Sequence, residues 1–319
     1  MLDAHSFDKP YSHLEEDSRL PLGDSILASW IRSICQTVRG YGLDPGELMV
    51  KAGLDVAMLT VPDARYPAMN VRRFWEIIVA ATRDDLVGMR CGHEMQVATL
   101  HGLGLAIVTS HSLAQVLELI ARYCKVISST MEMSLAHDKH GTTLAIGTLH
   151  GSEARHAARL AVLAFVLRQA NSLSQHLVQP IAVHLRMSKL SDEDRSRLNH
   201  YFGCEVDTTG DAPDSIRFAY ADVMEPYAGS NAMLREANEQ VVRAYINRVR
   251  QSSFTARVEE EIQMIIEQGG PPRLSQWPKS SIFPHELCSV AWRMRRSLSR
   301  NSLTGGGVSS PTIRSLTPK

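Results

Sequence analysis

The sequence predicts an α+β fold in which helices pack around a small, mostly antiparallel sheet. Three observations support this fold class. Apolar residues recur at helical spacing through most of the chain, residues 131–148 alternate between apolar and polar on both sides of a turn, and helices and strands follow no regular alternation. With 319 residues and 44% hydrophobic content, the chain is long and apolar enough to bury a sizeable core.

The first part of the chain is predicted to be helical. Residues 24–39 carry apolar side chains at intervals of three and four, which predicts an amphipathic helix. Asp44 precedes a proline and can cap a short helix, and Gly53 provides its C-terminal stop. Asn70 begins a third helix. The aromatic residues on these apolar faces are predicted to lie in the core: Trp30, Phe74 and Trp75.

A long helix followed by a β-hairpin is predicted in the middle of the chain. Ser112 and Gln115 have the spacing of a capping box, and they precede an apolar stripe that runs to Ile127. The apolar period then changes to two over 131–135 and again over 144–148. The polar residues between these stretches can turn, so a hairpin is expected.

Helices and two further strands are predicted after residue 150. The helices are expected over 153–175, over 191–201, from a cap at Ser230 to Val249, and over 255–268. The strands are expected over 181–187 and 215–219. Together with the earlier elements, those before residue 250 make up one α+β domain over residues 22–250.

The two ends of the chain are predicted to be disordered. Residues 1–21 are acidic and lack an apolar stretch, so they do not resemble a signal peptide. After Gly269-Gly270-Pro271-Pro272, residues 271–319 hold eight Lys or Arg and one acidic residue, so this tail is +7 while residues 1–270 are −7. Non-specific, salt-sensitive phosphate contacts are expected from four of its arginines: Arg293, Arg295, Arg296 and Arg300.

The sequence lacks the motifs of the familiar enzymes. It contains no Gly-x-Ser-x-Gly, P-loop or His-Glu-x-x-His, and Gly102-Leu103-Gly104 lacks the third glycine of a dinucleotide loop. Its five cysteines are widely spaced without a Cys-x-x-Cys, which argues against a disulfide framework and against a thiolate metal site and favours a reducing cytoplasm. Residues 95–117 are too polar to span a membrane. We therefore expect a cytoplasmic protein that is not an enzyme and needs no metal or cofactor.

An ordered set of short motifs runs along the chain from about Asp24 to Gly269. The motifs are Gly42-Leu43-Asp44-Pro45, Ala52-Gly53-Leu54-Asp55, Pro62-Asp63-Ala64-Arg65-Tyr66-Pro67, Phe74-Trp75-Glu76, His101-Gly102-Leu103-Gly104, Arg122-Tyr123, the segment Pro180 to Leu185, Tyr201-Phe202-Gly203-Cys204-Glu205-Val206, and the capped helix from Ser230. In order and spacing, this set resembles the arabinose-binding-type regulatory domain of AraC-family transcriptional regulators.

The resemblance implies an effector-binding and dimerisation domain over 22–250, joined to a DNA-binding domain with two helix-turn-helix units. The implied partners are a small-molecule effector, promoter DNA and a second copy of the chain. Polar groups beside apolar helices orient ligands, so His101, Arg122 and Tyr123 are the predicted effector-binding residues.

The resemblance ends where the DNA-binding domain should continue. Residues 251–270 look like its first helix, but Trp277-Pro278, Phe283-Pro284 and Gly305-Gly306-Gly307 interrupt any later helix. The neighbouring reading frame between Pro272 and Trp292 can encode the missing helix-turn-helix. We therefore hypothesise a one-base slip near Gly270 that truncated an all-α DNA-binding region.

Three functions remain open from the sequence. The first is a one-component transcriptional regulator with a disrupted helix-turn-helix. The second is a ligand-binding or dimerising protein without specific DNA binding. The third is a small-molecule enzyme of unrecognised type, which would need titratable groups that converge in a pocket.

Overall fold

The computed structural model describes residues 24–148, 156–187, 190–210 and 212–267, with side chains as far as residue 249. The chain divides into two compact units, Met1–Ser253 and Phe254–Lys319. The predictions for residues 1–21, for the tail 271–319 and for its four arginines, Arg293, Arg295, Arg296 and Arg300, lie outside the described residues.

Two very short strands begin the fold. Strand β1 (Ser25–Leu27) leads directly into helix α1 (Ala28–Arg39) and pairs antiparallel with β2 (Arg65–Pro67), which leads into α3 (Ala68–Thr82). The prediction of a helix from residue 24 was therefore wrong at its start. A three-residue strand shows too little alternation to be recognised, and its partner lies forty positions away.

Local capping signals placed several helices correctly. Helix α2 (Pro45–Ala52) begins where the Asp44 carboxylate accepts a hydrogen bond from the Gly46 N–H at 2.8 Å. It ends at Gly53, whose φ of 75° lies in the left-handed region that glycine tolerates best. Both signals confirm the sequence prediction for this helix.

The predicted capping box at Ser112 differs in detail. Helix α6 (Leu113–Tyr123) follows α4 (Val87–Glu94) and α5 (Gly102–Val108), but the Ser112 side chain makes no capping bond. The Gln115 side chain instead accepts from the His111 N–H at 2.8 Å. The start of the helix was predicted correctly, but α6 ends at Tyr123, before the predicted Ile127, and the partner of the cap also differs.

The hairpin prediction is confirmed. Strands β3 (Met131–Asp138) and β4 (Gly141–Thr148) pair in register from Met131 opposite Thr148 to Asp138 opposite Gly141. They form one end of a five-stranded sheet with the order β3-β4-β7-β5-β6, in which β5 is Ala182–His184, β6 is Val206–Asp207 and β7 is Asp214–Ala219. Only the β5–β6 pairing is parallel, so the sheet is mostly antiparallel as predicted.

Helix α7 (His156–Leu173) is buried on nearly all sides and packs tightly against α4. The close approach needs glycine, because a Cβ atom at Gly88 or Gly92 would lie 1.9 or 2.1 Å from the carbonyl oxygen of Ala157 or Ala161. Trp30, Phe74 and Trp75 are buried in the same core, which confirms their predicted role.

The last helices follow the sheet. Helix α8 (Asp192–Phe202) is capped by Ser191, which accepts from the Asp194 N–H at 3.0 Å, and α9 (Tyr220–Met224) is one short turn after β7. Helix α10 runs from Ala232 to Glu267 without a break, although two separate helices were predicted. No glycine or proline lies within it to end the first one.

The cap of α10 is Asn231 rather than the predicted Ser230, because the Asn231 side chain accepts from the Leu234 N–H at 3.1 Å. Among the described residues, no helix is long and apolar enough to cross a membrane.

Candidate functional site

A buried carboxylate on α10 gathers four hydrogen-bond donors. The side chain of Glu239 is 7% exposed. Its Oε1 accepts hydrogen bonds from the Tyr123 hydroxyl at 2.6 Å, from Arg243 at 2.7 Å and from Arg122 at 3.3 Å. Its Oε2 accepts from Arg235 at 2.9 Å. We call these five residues the Glu239 cluster.

Helical spacing assembles most of this cluster. Arg235, Glu239 and Arg243 are four residues apart on α10, so their side chains share one face. Arg122 and Tyr123 are the last residues of α6, which places them opposite that face. The cluster therefore joins the end of α6 to the first third of α10.

The ionised form of Glu239 is the stable one in this setting. Burial raises the pKa of Glu239, but the hydrogen bonds from Tyr123 and Arg243 outweigh that effect and hold the pKa below its ordinary value. A buried carboxylate without such donors would be strongly unfavourable. Glu239 therefore needs these donors to remain ionised in its buried position.

Two open clefts meet at Arg122. The first has a volume of about 410 Å³ and is lined by charged and amide side chains of Arg122 and α10. The second has a volume of about 300 Å³ and lies between the end of α6 and the hairpin. Its lining combines the charged residues Arg122, Lys125 and Glu132 with Ser134, Gly147 and the apolar groups of Ala121, Cys124 and Met133. The side chains of Arg122 and Arg243 are 56% and 60% exposed, so solvent reaches the cationic side of the cluster.

A second polar cluster, which also includes a residue of α10, is closed to solvent. The guanidinium of Arg65 is almost fully buried, and it donates to Ser25 Oγ at 2.9 Å, to the Ser25 carbonyl at 3.0 Å and to the Val126 carbonyl at 2.7 Å. It also donates to the Tyr245 hydroxyl at 3.0 Å. We call these four residues the Arg65 cluster.

His101 lies at the rim of the Arg65 cluster and not with Arg122 and Tyr123. Its Nδ1 lies 2.9 Å from Asp63 Oδ1, and its ring lies 5.8 Å from the ring of Tyr245. Both His101 and Asp63 have positive φ, at 54° and 58°. The hydrogen bond to His101 is the main cause that lowers the pKa of Asp63.

The order Ser29, His101, Asp63 invites comparison with a hydrolytic triad, because Ser29 Oγ lies 3.3 Å from His101 Nε2. Ser29 is nevertheless bonded elsewhere. Its hydroxyl donates to the Thr99 carbonyl at 2.6 Å, its exposure is 8%, and neither described cleft is lined by it. This geometry does not equip Ser29 as a nucleophile.

Within the described residues, no group of three or more His, Cys, Asp or Glu side chains is arranged to hold a metal ion. The four cysteines in this part of the chain are free thiols. Burial raises the pKa of the Cys35 thiol to about 11 and that of the Cys91 thiol to about 12. Both thiols therefore stay protonated and unreactive at neutral pH.

The structure brings together two of the three predicted effector-site residues, Arg122 and Tyr123, and adds three that were not predicted, Arg235, Glu239 and Arg243. Their four-residue spacing is a signal in the sequence, but the same spacing is common on solvated helix faces. Nothing in the sequence pattern shows that Glu239 becomes buried.

Comparison with known proteins identifies a family through the part of the chain that precedes α10. A search of curated proteins finds no significant match. A solved structure that is similar is that of the transcriptional regulator CdpR from Pseudomonas aeruginosa, at 14% sequence identity, with 83% of this chain and 85% of that chain covered and a TM-score of 0.45. The family model described as the arabinose-binding domain of AraC transcription regulators, N-terminal, matches residues 42–227. Because this match spans more than half of the 319 residues, the chain belongs to the family of AraC transcription regulators.

Proposed function

We propose that this chain is a one-component transcriptional regulator whose domain over residues 22–250 binds a small effector in the cytoplasm. Membership of the AraC family supports a regulatory role. In this proposal, the effector acts by binding one arrangement of the protein more tightly than another, since a ligand with equal affinity for both would shift nothing.

The Glu239 cluster is the observation that carries the proposal. It combines two predicted effector-site residues, Arg122 and Tyr123, with exposed cationic groups and two adjoining clefts. It also lies on α10, and this helix extends to Glu267, into the segment that resembles the first helix of a DNA-binding domain. A change of hydrogen bonding at Glu239 would therefore act on that helix.

His101 is proposed as a supporting residue of the same domain. Its ring contacts Tyr245, which is six positions after Glu239 on α10, or about 9 Å along the helix axis. It contacts neither cleft, so we assign it a part in holding α10 rather than direct contact with the effector.

The second candidate function is a ligand-binding or dimerising protein without specific DNA binding. The outward face of α10 supports self-association, because Leu234, Ala237, Val241 and Ala244 are exposed apolar residues along one side. The loss of the helix-turn-helix pattern after Gly270 supports the absence of specific DNA reading. In this case the four tail arginines would contact phosphates only: Arg293, Arg295, Arg296 and Arg300.

A gel-shift titration separates the two functions. A specific regulator retains its preference for promoter fragments from its own gene neighbourhood when unrelated competitor DNA is added. A protein that binds only through its basic tail releases all fragments equally, and at moderate salt. Resequencing the gene tests the proposed slip, since a single-base change near the codons of Gly270 to Pro272 should open the helix-turn-helix frame.

A further inference from the structure

We infer that the effector is a small monocarboxylate with a short apolar body, held by Arg122 and Arg243 in the cleft beside Glu239. This inference rests on the proposed effector-binding function and names the chemical class of the ligand. It follows from charge, from the hydrogen bonds that the arginines leave unused, and from the two clefts that share Arg122.

The charge at the cleft favours one negative charge in the ligand. Three arginines, Arg122, Arg235 and Arg243, face two glutamates, Glu236 and Glu239, so the cleft has one cation in excess. Glu239 is buried, and each of its two carboxylate oxygens already accepts a hydrogen bond. The excess positive charge therefore lies on the exposed arginines, where a monoanion would neutralise it.

The two exposed arginines have donors to spare. A guanidinium carries five N–H groups in a planar fork. Among the described residues, Arg122 donates one hydrogen bond, to Glu239, and Arg243 donates two, from Nε to Tyr123 and from one terminal nitrogen to Glu239. The remaining N–H groups suit a planar carboxylate, which accepts paired hydrogen bonds from such a fork.

Arg122 is the residue best placed to change partners. Its bond to Glu239 is the longest of the four at 3.3 Å, and it lines both clefts. When Arg122 binds a ligand carboxylate instead of Glu239, Glu239 keeps its shorter hydrogen bonds from Tyr123 and Arg235. The buried carboxylate of Glu239 therefore still has hydrogen-bond donors.

The second cleft supplies the place for the apolar body. Its volume is about 300 Å³, and the apolar groups of Ala121, Cys124 and Met133 line it beside the oppositely charged Lys125 and Glu132. It has room for a chain or ring of a few carbon atoms next to Arg122. A bare inorganic anion would leave this cleft unused. An organic acid such as hexanoate or benzoate would occupy both the cationic and the apolar part.

Thermal unfolding of the full chain tests this inference with matched probes. Hexanoate and benzoate are compared with hexanamide and benzamide, which keep the shape and lack the charge, and with inorganic phosphate. We expect the two acids to raise the melting temperature in a saturable way and the amides and phosphate to leave it unchanged. Equal shifts with acid and amide, or a larger shift with phosphate, would overturn the inference.

Substitutions at the exposed arginines provide the second measurement. Arg122→Gln and Arg243→Gln should each raise the Kd for the acid by about tenfold or more, because a charge-assisted hydrogen bond is lost. Arg122→Lys, which keeps the charge but not the fork, should give a smaller rise. The control Arg168→Gln changes an exposed arginine on α7 and should bind the acid like the unmodified protein.

Circular dichroism without ligand confirms that each variant is folded. If the folded arginine variants bind the acid with unchanged Kd, the assignment is wrong. Gel shifts on the same samples keep the two proposals apart. Acid binding without specific DNA binding contradicts the regulator and supports this site, whereas specific DNA binding with no response to any acid contradicts the site alone.

Discussion

The two polar clusters on α10 differ in the sign of the buried charge and in their access to solvent. The Arg65 cluster buries a cation and satisfies it with four neutral acceptors, two of them backbone carbonyls. The Glu239 cluster buries an anion and surrounds it with arginines, of which Arg122 and Arg243 remain more than half exposed. A closed cluster of this kind can only stabilise the fold, whereas an open one can also exchange partners.

The comparison also separates two roles of one helix. Tyr245 fixes α10 to the β1–β2 region through Arg65, while Glu239 meets the end of α6 beside open clefts. Substitutions in the first cluster should therefore alter stability alone. Substitutions in the second should alter stability and ligand affinity together.

The largest effect is expected from Arg65→Met. This change removes the donor from three buried acceptor groups of Ser25 and Val126 and from the Tyr245 hydroxyl, so unfolding should become easier by about 3 kcal/mol. Urea unfolding measures it, with the exposed Arg32→Ala as the control, expected within about 0.5 kcal/mol of the unmodified protein. A loss below about 1 kcal/mol would contradict the structural role of Arg65.

Glu239→Gln should have the next largest effect and should distinguish the clusters. The neutral amide weakens four hydrogen bonds and costs about 2 kcal/mol of unfolding free energy. It also frees the arginines from a competing carboxylate, so affinity for hexanoate should rise several-fold. Calorimetric titration of the folded variant measures this affinity, and a weaker affinity would argue against competition between Glu239 and the ligand.

The pH dependence of stability measures the contribution of Glu239 independently. Because its pKa in the folded protein lies below the ordinary value of 4.5, its contribution to stability is complete above pH 4.5 and is lost as the pH falls through the folded pKa. Glu239→Gln should lack this part of the acid dependence. Unfolding curves between pH 6 and pH 3, compared with those of the unmodified protein, provide the measurement, and parallel pH profiles would contradict the assignment.

His101 tests the rim of the closed cluster. Its backbone, at φ 54° and ψ −138°, lies in a region that only glycine adopts easily. His101→Ala should lose the Asp63 contact and keep the strain, whereas His101→Gly should lose the contact and relieve the strain. We expect the glycine variant to be more stable than the alanine variant by about 1–2 kcal/mol in urea unfolding. The reverse order would show that the backbone there is not strained.

The smallest effects are expected from removing single hydroxyl groups. Tyr245→Phe leaves Arg65 with three of its four hydrogen bonds, and Tyr123→Phe leaves Glu239 with its arginines. Each should cost about 1 kcal/mol of unfolding free energy. Tyr123→Phe should in addition change the Kd for hexanoate, whereas Tyr245→Phe should leave this Kd unchanged. Equal Kd values for both variants would remove the functional distinction between the two clusters.

Features of the fold with a local signal could be predicted from the sequence. The cap at Asp44, the stop at Gly53 and the hairpin around residues 138–141 each depend on neighbouring residues, and each prediction was confirmed. Strands β1, β2 and β6 were not predicted, since each has three residues or fewer and is defined by a distant partner.

The candidate site was only partly predictable for the same reason. Arg122 and Tyr123 stood out as polar residues at the end of an apolar helix, and the structure does place them together. Glu239 did not stand out, because a glutamate between two arginines on a helix usually faces solvent. Its burial accompanies the contact between α10 and the end of α6, which no local pattern contains. Arg65 escaped prediction because a buried arginine is rare.

The central claim is that the open cluster around Glu239 is the effector site while the closed cluster around Arg65 is not. Calorimetric titration of the full chain with hexanoate tests it most directly, using the unmodified protein, the double variant Arg122→Gln/Arg243→Gln, and Tyr245→Phe. We expect saturable binding to the unmodified protein and to Tyr245→Phe, and none to the double variant. Binding that survives in the folded double variant, or that is lost in Tyr245→Phe, would contradict the claim.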